Sequence, residues 1–392
     1  MTKKSMNRLK WICFVIIAFV FLLPALQKIV KPFSPKPLKG YFEPSYRPVL
    51  SLAGIKSGDY QEKMGRHLER SLGLREWLVR FCNQIDFSLF SLSHARQVVV
   101  GKEDYLFEEP YIDALLGHDF IGKELIDARV DQIRRVQDLL WERSRTLLVV
   151  VFPPDKGSFY PEKIPGRYLK KSGEITNYLW YKKRFEETKV NFIDFNDWFI
   201  RMKDTSQYLL YPKTGIHWSS YGAFLAFDSL TRYLGARMGK PLVEISYNDL
   251  QVTGTARGRD ADMQEGMNLI QGISHPPMAY PSVVFKKKPG TIYPAALFIG
   301  DSFYFTWSEA GYIAHTFSGR DFWYYDQDVY SGTYNTGKKI QNLNLLEEVS
   351  GRDVIVIIQT FAGYGNVGYG FIDRLLSDPG GLNRQGPVTR NR

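Results

Sequence analysis

An α/β fold with a mainly parallel central sheet is predicted by three features of the chain. Short apolar runs (Leu147–Phe152, Ala295–Ile299, Asp353–Ile358) have the length and β-branching of strands buried on both faces. Two of them stop at chain breakers, Pro153-Pro154 and Gly300. Between the strand-like runs lie longer stretches with helical spacing, and this alternation builds parallel sheets with helices on both sides. With 392 residues, 44% of them hydrophobic and 23% charged, the chain has ample material for such a core.

The first element is not part of that sheet. Trp11 to Leu26 carries no charge and is interrupted only by Pro24. Leu9, Ile29 and Val30 extend it to near the ~20 residues a membrane span needs, with Lys10 and Lys28 snorkelling at its ends. A cleaved signal peptide is the alternative, but Leu23-Pro24-Ala25-Leu26-Gln27 is a poor cleavage site. Residues 1–30 are therefore predicted to be a retained transmembrane anchor. The charge supports this. Of the net +10, +8 falls within the first fifty residues, which leaves only +2 for the rest. A nearly neutral body argues against nucleic-acid binding, and a basic flank suits a membrane surface.

Residues 31–56 read as a linker, rich in Pro and Lys up to residue 50. Residues 57–96 read as a helical extension, with Leu68, Leu72, Leu78 and Phe81 at helical spacing. Gln97–Val100 and Tyr105–Phe107 around Gly101–Asp104 predict a hairpin. A helix over roughly 123–145 leads to the strand 147–152. A helix near Tyr178–Thr188 precedes a strand at Asn191–Phe195, and a further helix covers Ser219–Met238. The strand before Ser302, the strand 353–358 and a short helix over Phe371–Leu376 complete a body spanning 97–378. The tail 379–392 is predicted to be disordered. Cys13 and Cys82 give no disulfide framework, and no Cys/His grouping has metal-site spacing. Neither a metal nor a cofactor is expected.

Ligands of parallel sheets gather beyond the carboxyl ends of the strands. Ser302 stands there, in Gly300-Asp301-Ser302-Phe303, ahead of a helix through Trp307. Its hydroxyl suits nucleophilic attack, and its backbone N–H suits an oxyanion, although Asp-Ser before a helix is also an ordinary cap. A nucleophile needs a base. Of the six histidines, His217 has the distinctive setting, in Thr214-Gly215-Ile216-His217-Trp218-Ser219 just before a helix. A packed structural histidine is the alternative. Asp155 and Lys156 follow a strand end within reach of a ligand, and Lys156 reads as a solvated charge in a turn. Tyr304, Trp307, Trp323, Tyr324 and Tyr325 suit stacking on sugar rings, or the core.

Thr214-x-x-His217-Trp218, followed by Gly222-Ala223, resembles the histidine motif of the alginate O-acetyltransferase family. Gly101–Phe107, Val151–Lys156 with Tyr160-Pro161, and Gly300–Phe303 resemble that family's hairpin, first-strand and nucleophile motifs, in the same order. The resemblance covers roughly 97–360. It implies an SGNH-like, flavodoxin-like sandwich in which Ser302 is the nucleophile and His217 the general base. It also implies a polysaccharide acceptor, a multipass membrane O-acyltransferase that supplies the acetyl group, and a body in the periplasm or outside the cell. Asp155, Trp218 and Tyr304 are the candidates for contacting substrate.

One position departs from the family. An aspartate usually stands two residues before the histidine, and here that position is Gly215. Losing the carboxylate of a serine triad costs about 10⁴ in rate. Asp260 or Asp262 could take its place, although both could equally cap the helix starting near Met263. A backbone carbonyl could also orient the ring. Three readings follow: an O-acetyltransferase, an esterase using the same pair, or a glycan-binding protein that has lost turnover.

Overall fold

The structure is a computed structural model and describes residues 3–30, 36–40, 46–169, 173 and 175–377. The predicted tail and parts of the predicted linker lie outside the described residues. The chain divides into two compact units, one reaching to residue 96 together with 264–272, the other holding the remainder.

The N-terminal unit is helical. Helix α1 (Lys3–Val30) contains the apolar window Lys10–Val30, with a mean hydropathy of 2.4 and Gln27 its one buried residue. Helix α2 (Leu52–Ser57) falls inside the predicted linker. Ser51 starts it by accepting from the Gly54 N–H at 3.0 Å, and Gly58 ends it at φ +82°. The predicted helical extension is two helices, α3 (Asp59–Arg70) and α4 (Arg75–Phe90), broken where Leu74 takes a left-handed φ of 64°. Leu68, Leu72, Leu78 and Phe81 are all exposed. A segment far along the chain belongs to this unit. Asn268 exchanges two hydrogen bonds with the Lys39 backbone, at 2.7 and 3.0 Å, and Asn83 donates to the Met267 carbonyl at 2.7 Å.

The second unit opens with the antiparallel hairpin β1 (Val98–Val100) and β2 (Leu106–Glu108). Helices α5 (Glu109–Leu116) and α6 (Lys123–Ser144) lead to β3 (Leu147–Phe152). Then follow α7 (Lys156–Phe159), α8 (Asn177–Thr188), β4 (Phe192–Asp194), α9 (Phe195–Met202) and α10 (Ser220–Met238). An antiparallel ribbon of β5 (Glu244–Thr253) and β6 (Met278–Lys286) flanks α11 (Asp262–Met267) in sequence. The last stretch holds β7 (Ala296–Gly300), α12 (Phe303–Glu309), α13 (Tyr312–Thr316), β8 (Asp321–Tyr324), β9 (Asp328–Ser331), β10 (Tyr334–Lys339), α14 (Leu345–Ser350), β11 (Val354–Ile358) and α15 (Phe371–Ser377).

The central sheet runs β10-β9-β8-β7-β11-β3-β4. The five strands from β8 to β4 are parallel, and β9 and β10 add an antiparallel edge. That edge and the β5–β6 ribbon carry polar and aromatic residues without a clear period, which is why periodicity does not reveal them. The wholly apolar strands do what their composition demands. Val149, Val151, Phe298, Val356 and Ile358 face one core with Phe227 of α10 and Trp307 of α12. The alternate residues Leu148, Val150, Ile299, Ile355 and Ile357 face a second core with α6, α8 and α15. Period-2 alternation thus sends neighbouring side chains to opposite layers, and both need apolar residues.

Candidate active site

Gly300 closes β7 against the end of β11. A Cβ there would overlap the Ile358 carbonyl oxygen, so only glycine lets the two strand ends close up. The Asp301 carboxylate then ties the same ends together. It accepts from the Phe303 N–H at 3.1 Å, the Thr360 N–H at 2.8 Å and the Thr360 hydroxyl at 2.9 Å. Burial pushes the Asp301 carboxyl up, against these donors, which favour its charged form. The result is a rigid platform that presents Ser302 as the first residue of the turn into α12.

His217 arrives on the loop between Tyr211 and α10. Ser219 caps α10, accepting from the Gly222 N–H at 2.9 Å, while its own hydroxyl donates to the Leu209 carbonyl at 2.6 Å. Tyr211 donates its hydroxyl to the Ile216 carbonyl. The His217 ring lies 4.9 Å from the Phe303 ring, and Trp218 stacks on Trp307 at 4.8 Å. The helix that begins beside Ser302 therefore also packs against the His217 segment. Nε2 of His217 is 2.8 Å from Ser302 Oγ.

The other ring nitrogen meets a carboxylate. His217 Nδ1 is 2.7 Å from Asp262 Oδ2. An ionised carboxylate only accepts, so Nδ1 carries the proton and Nε2 is left to accept from the serine hydroxyl. Asp262 Oδ1 accepts from the Ile216 N–H at 3.0 Å and the Met263 N–H at 2.8 Å. Burial pushes the Asp262 carboxyl up, but the His217 ring, its hydrogen bond, the Ile216 N–H and the Lys156 charge outweigh this and hold it low. Asp262 thus satisfies the Met263 N–H at the start of α11 and orients the imidazole at once.

Asp260 does not reach the ring. It is buried, accepts from the Ser220 hydroxyl at 3.2 Å, and is pushed up to about 7 by burial. Three further candidates stand elsewhere than the sequence suggests. Asp155 is fully buried and caps the Gly157 and Ser158 N–H groups at 3.1 and 2.9 Å. Trp218 is fully buried between Phe303 and Trp307, and Tyr304 is fully buried against Phe322 at 3.9 Å. None of the three has surface left for a substrate.

Lys156 is the largest correction. Instead of a solvated turn charge it is 1% exposed, and its ammonium donates to the carbonyls of Lys213 at 2.9 Å and Gly215 at 2.7 Å. Glu108, at the end of β2, shares the field of Asp262, His217 and Lys156, and burial pushes its carboxyl up. The sequence signal for both was available only as position: Glu108 directly follows a predicted strand, and Lys156 comes two residues after the Pro153-Pro154 stop.

Residues 98–284 match the family model described as SGNH hydrolase-like domain, acetyltransferase AlgX. The match takes in His217 and Asp262 and ends before Ser302. Among solved structures, the chain is similar to the O-acetyltransferase domain of Pseudomonas putida AlgJ, with 14% identity and a TM-score of 0.46, covering 71% of this chain and 97% of that one. It is similar to Pseudomonas aeruginosa AlgX, with 14% identity and a TM-score of 0.42, covering 72% and 68%. It is also similar to Bacillus cereus PatB1 bearing a sulfonyl adduct, with 13% identity and a TM-score of 0.39, covering 64% and 93%. No curated protein matches. The fold is the SGNH-like α/β arrangement with a mixed central sheet, as the motifs imply.

Proposed function

We propose that this chain, an AlgX/AlgJ-like member of the alginate O-acetyltransferase family through its SGNH hydrolase-like domain, is a serine-dependent O-acetyltransferase acting on a cell-surface or secreted polysaccharide. The observation that carries the reading is the continuous hydrogen-bonded chain Ser302–His217–Asp262, at 2.8 and 2.7 Å. Ser302 Oγ attacks the acetyl carbonyl of the donor and passes its proton to His217 Nε2. The bond to the donor's leaving group breaks, and that group takes the proton from His217. An acceptor hydroxyl then attacks the acetyl-Ser302 ester, gives its proton to His217, and leaves as the acetylated sugar while Ser302 regains its proton. Asp262 holds the imidazole in the required tautomer and stabilises the transient imidazolium.

The missing acid at position 215 motivates a binding-only reading, and the carboxylate of Asp262 on His217 weighs against it. Water and a sugar hydroxyl would use the same acyl-enzyme, so the acceptor distinguishes transferase from esterase. The exposed apolar window Lys10–Val30 supports a membrane anchor. A body in the periplasm or extracellular space and a multipass membrane O-acyltransferase as acetyl supplier are what the family resemblance implies.

The test uses an aryl acetate as donor and an oligosaccharide as acceptor, with the products and the Ser302 peptide followed by mass spectrometry. The expected result is an acetylated Ser302 peptide and acetylated oligosaccharide, both lost in Ser302→Ala. Parent-level turnover by Ser302→Ala overturns the mechanism. Release of acetate alone, with acceptor in excess, moves the assignment to esterase.

A further inference from the structure

Position 215 has no room for the aspartate that the family resemblance places there. A Cβ on Gly215 would overlap the Arg259 carbonyl oxygen and lie 2.9 Å from the carbonyl carbon and oxygen of Asp260. The segment 259–262 therefore occupies the volume that an acidic side chain would fill. That segment is itself fixed. Arg259 forms a two-pronged ion pair with Glu309 at 2.8 and 2.6 Å, and Asp260 is held by Ser220. Its end delivers Asp262 to His217.

The opposite side of the same loop is held by Lys156. Its two hydrogen bonds go to the carbonyls of Lys213 and Gly215, the residues on either side of Thr214. The ammonium sits near the faces of Phe107 and Tyr211, at 5.9 and 5.8 Å. Burial pushes the Lys156 ammonium down to about 7, against Asp262 and Glu108, the charged groups that face it and favour its cationic form; burial and then Lys213 and Lys156 hold His275 neutral. Lys213 lends its carbonyl. Burying an ammonium on neutral carbonyls is costly, and a neutral donor would serve a purely structural tie more cheaply. The cation adds what a neutral donor cannot, a favourable field on the Asp262 carboxylate.

We infer that Gly215 and Lys156 form one positioning device for the relocated acid. The absent side chain at 215 admits the 259–262 segment. Lys156 clamps the 213–215 backbone so that the Ile216 N–H and His217 Nδ1 meet the two oxygens of Asp262, and its ammonium faces that carboxylate. Both are positioning residues, and the inference rests on Ser302, His217 and Asp262 being the reacting groups.

The test compares the full-length parent with Lys156→Met, Gly215→Ala, Gly215→Asp and Ser302→Ala. It measures aryl acetate turnover across pH, fluorophosphonate labelling and thermal melting. Lys156→Met is expected to lower kcat by about 30-fold or more with KM within about twofold. The acid limb of its pH profile is expected to move to higher pH, because the site loses a buried positive charge. A merely structural tie would not move that limb. Gly215→Ala should also lose turnover, and Gly215→Asp should fail to improve on the parent. The inference is overturned if folded Lys156→Met keeps kcat within about threefold of the parent with an unmoved acid limb. It is equally overturned if Gly215→Asp equals or exceeds the parent. Should Lys156→Met not melt cooperatively, Gly215→Ala decides, and parent-level turnover there overturns the inference. Failure of the underlying reading looks different: labelling and turnover of the parent would then persist in Ser302→Ala, and the inference falls with it.

Discussion

Every residue of the strands Leu147–Phe152 and Val354–Ile358 is buried, whereas helices Asp59–Arg70 and Arg75–Phe90 of the N-terminal unit bury none of theirs. The strands are wholly apolar, whereas α3 is largely charged and α4 mixes large apolar side chains with polar ones. In the sheet-bearing unit, both faces of each strand meet a helical layer, and burial at about 25 cal/mol per Å² accumulates into a rigid platform. In the N-terminal unit, Trp77, Phe81, Leu89 and Phe90 remain exposed, as does the Lys10–Val30 window. Apolar composition therefore says that a residue wants cover, and only the fold says whether the chain itself supplies it. Ser302, His217 and Asp262, the proposed reacting groups, lie entirely within the unit that covers its own core.

Chemistry gives the sharpest way to break this contrast. Ser302→Ala is expected to lower aryl acetate turnover by about 10⁴ or more, and Asp262→Asn by about 10²–10⁴, measured as kcat in purified full-length protein. Trp77→Ala in the N-terminal unit should leave kcat within about twofold. A large loss there would show that the exposed helices contribute to the site.

Stability comes next. Phe298→Ala, in a strand packed against Tyr304 and Phe317, is expected to cost about 3–5 kcal/mol in denaturant melts. Phe81→Ala, from an exposed helix face, should cost under about 1 kcal/mol. Equal costs would mean that the exposed face is covered in solution.

Membrane association should respond in the opposite sense. Val20→Asp, within the apolar window, is expected to weaken insertion by about 2.5–3.5 kcal/mol and move protein into the soluble fraction after membrane fractionation. The melting of the sheet-bearing unit should not change.

The smallest effect concerns pH. Asp260 holds its proton to about pH 7 in the folded chain because of burial, and to about pH 4 when unfolded. Folding takes up a proton between those values, so stability falls as pH rises through that window and is flat above it. Asp260→Asn removes the fall. Its melting temperature relative to the parent should be higher at pH 8 than at pH 4 by about 2–4 °C. A constant difference across pH would show that Asp260 is ionised at little cost.

Much of this molecule follows from local pattern. The three buried strands, the hairpin at 98–108, the helix of residues 220–238 and the apolar N-terminal helix all obey rules of period, breaker and cap that act over a few residues. Ser302 and His217 are legible for the same reason: each belongs to a short motif at the edge of a regular element. Tertiary packing decided the rest. Asp262 rather than Asp260 meets the imidazole because the 259–262 segment fills the space beside Gly215. Lys156 is buried because two carbonyls some sixty residues away close over it. Trp218 and Tyr304 lie in the core because α12 brings Phe303 and Trp307 against one and the β8 residue Phe322 stacks on the other. Local propensity fixes where a side chain starts along the chain. What it touches depends on which distant backbone arrives there, and that is settled by the packing of whole layers.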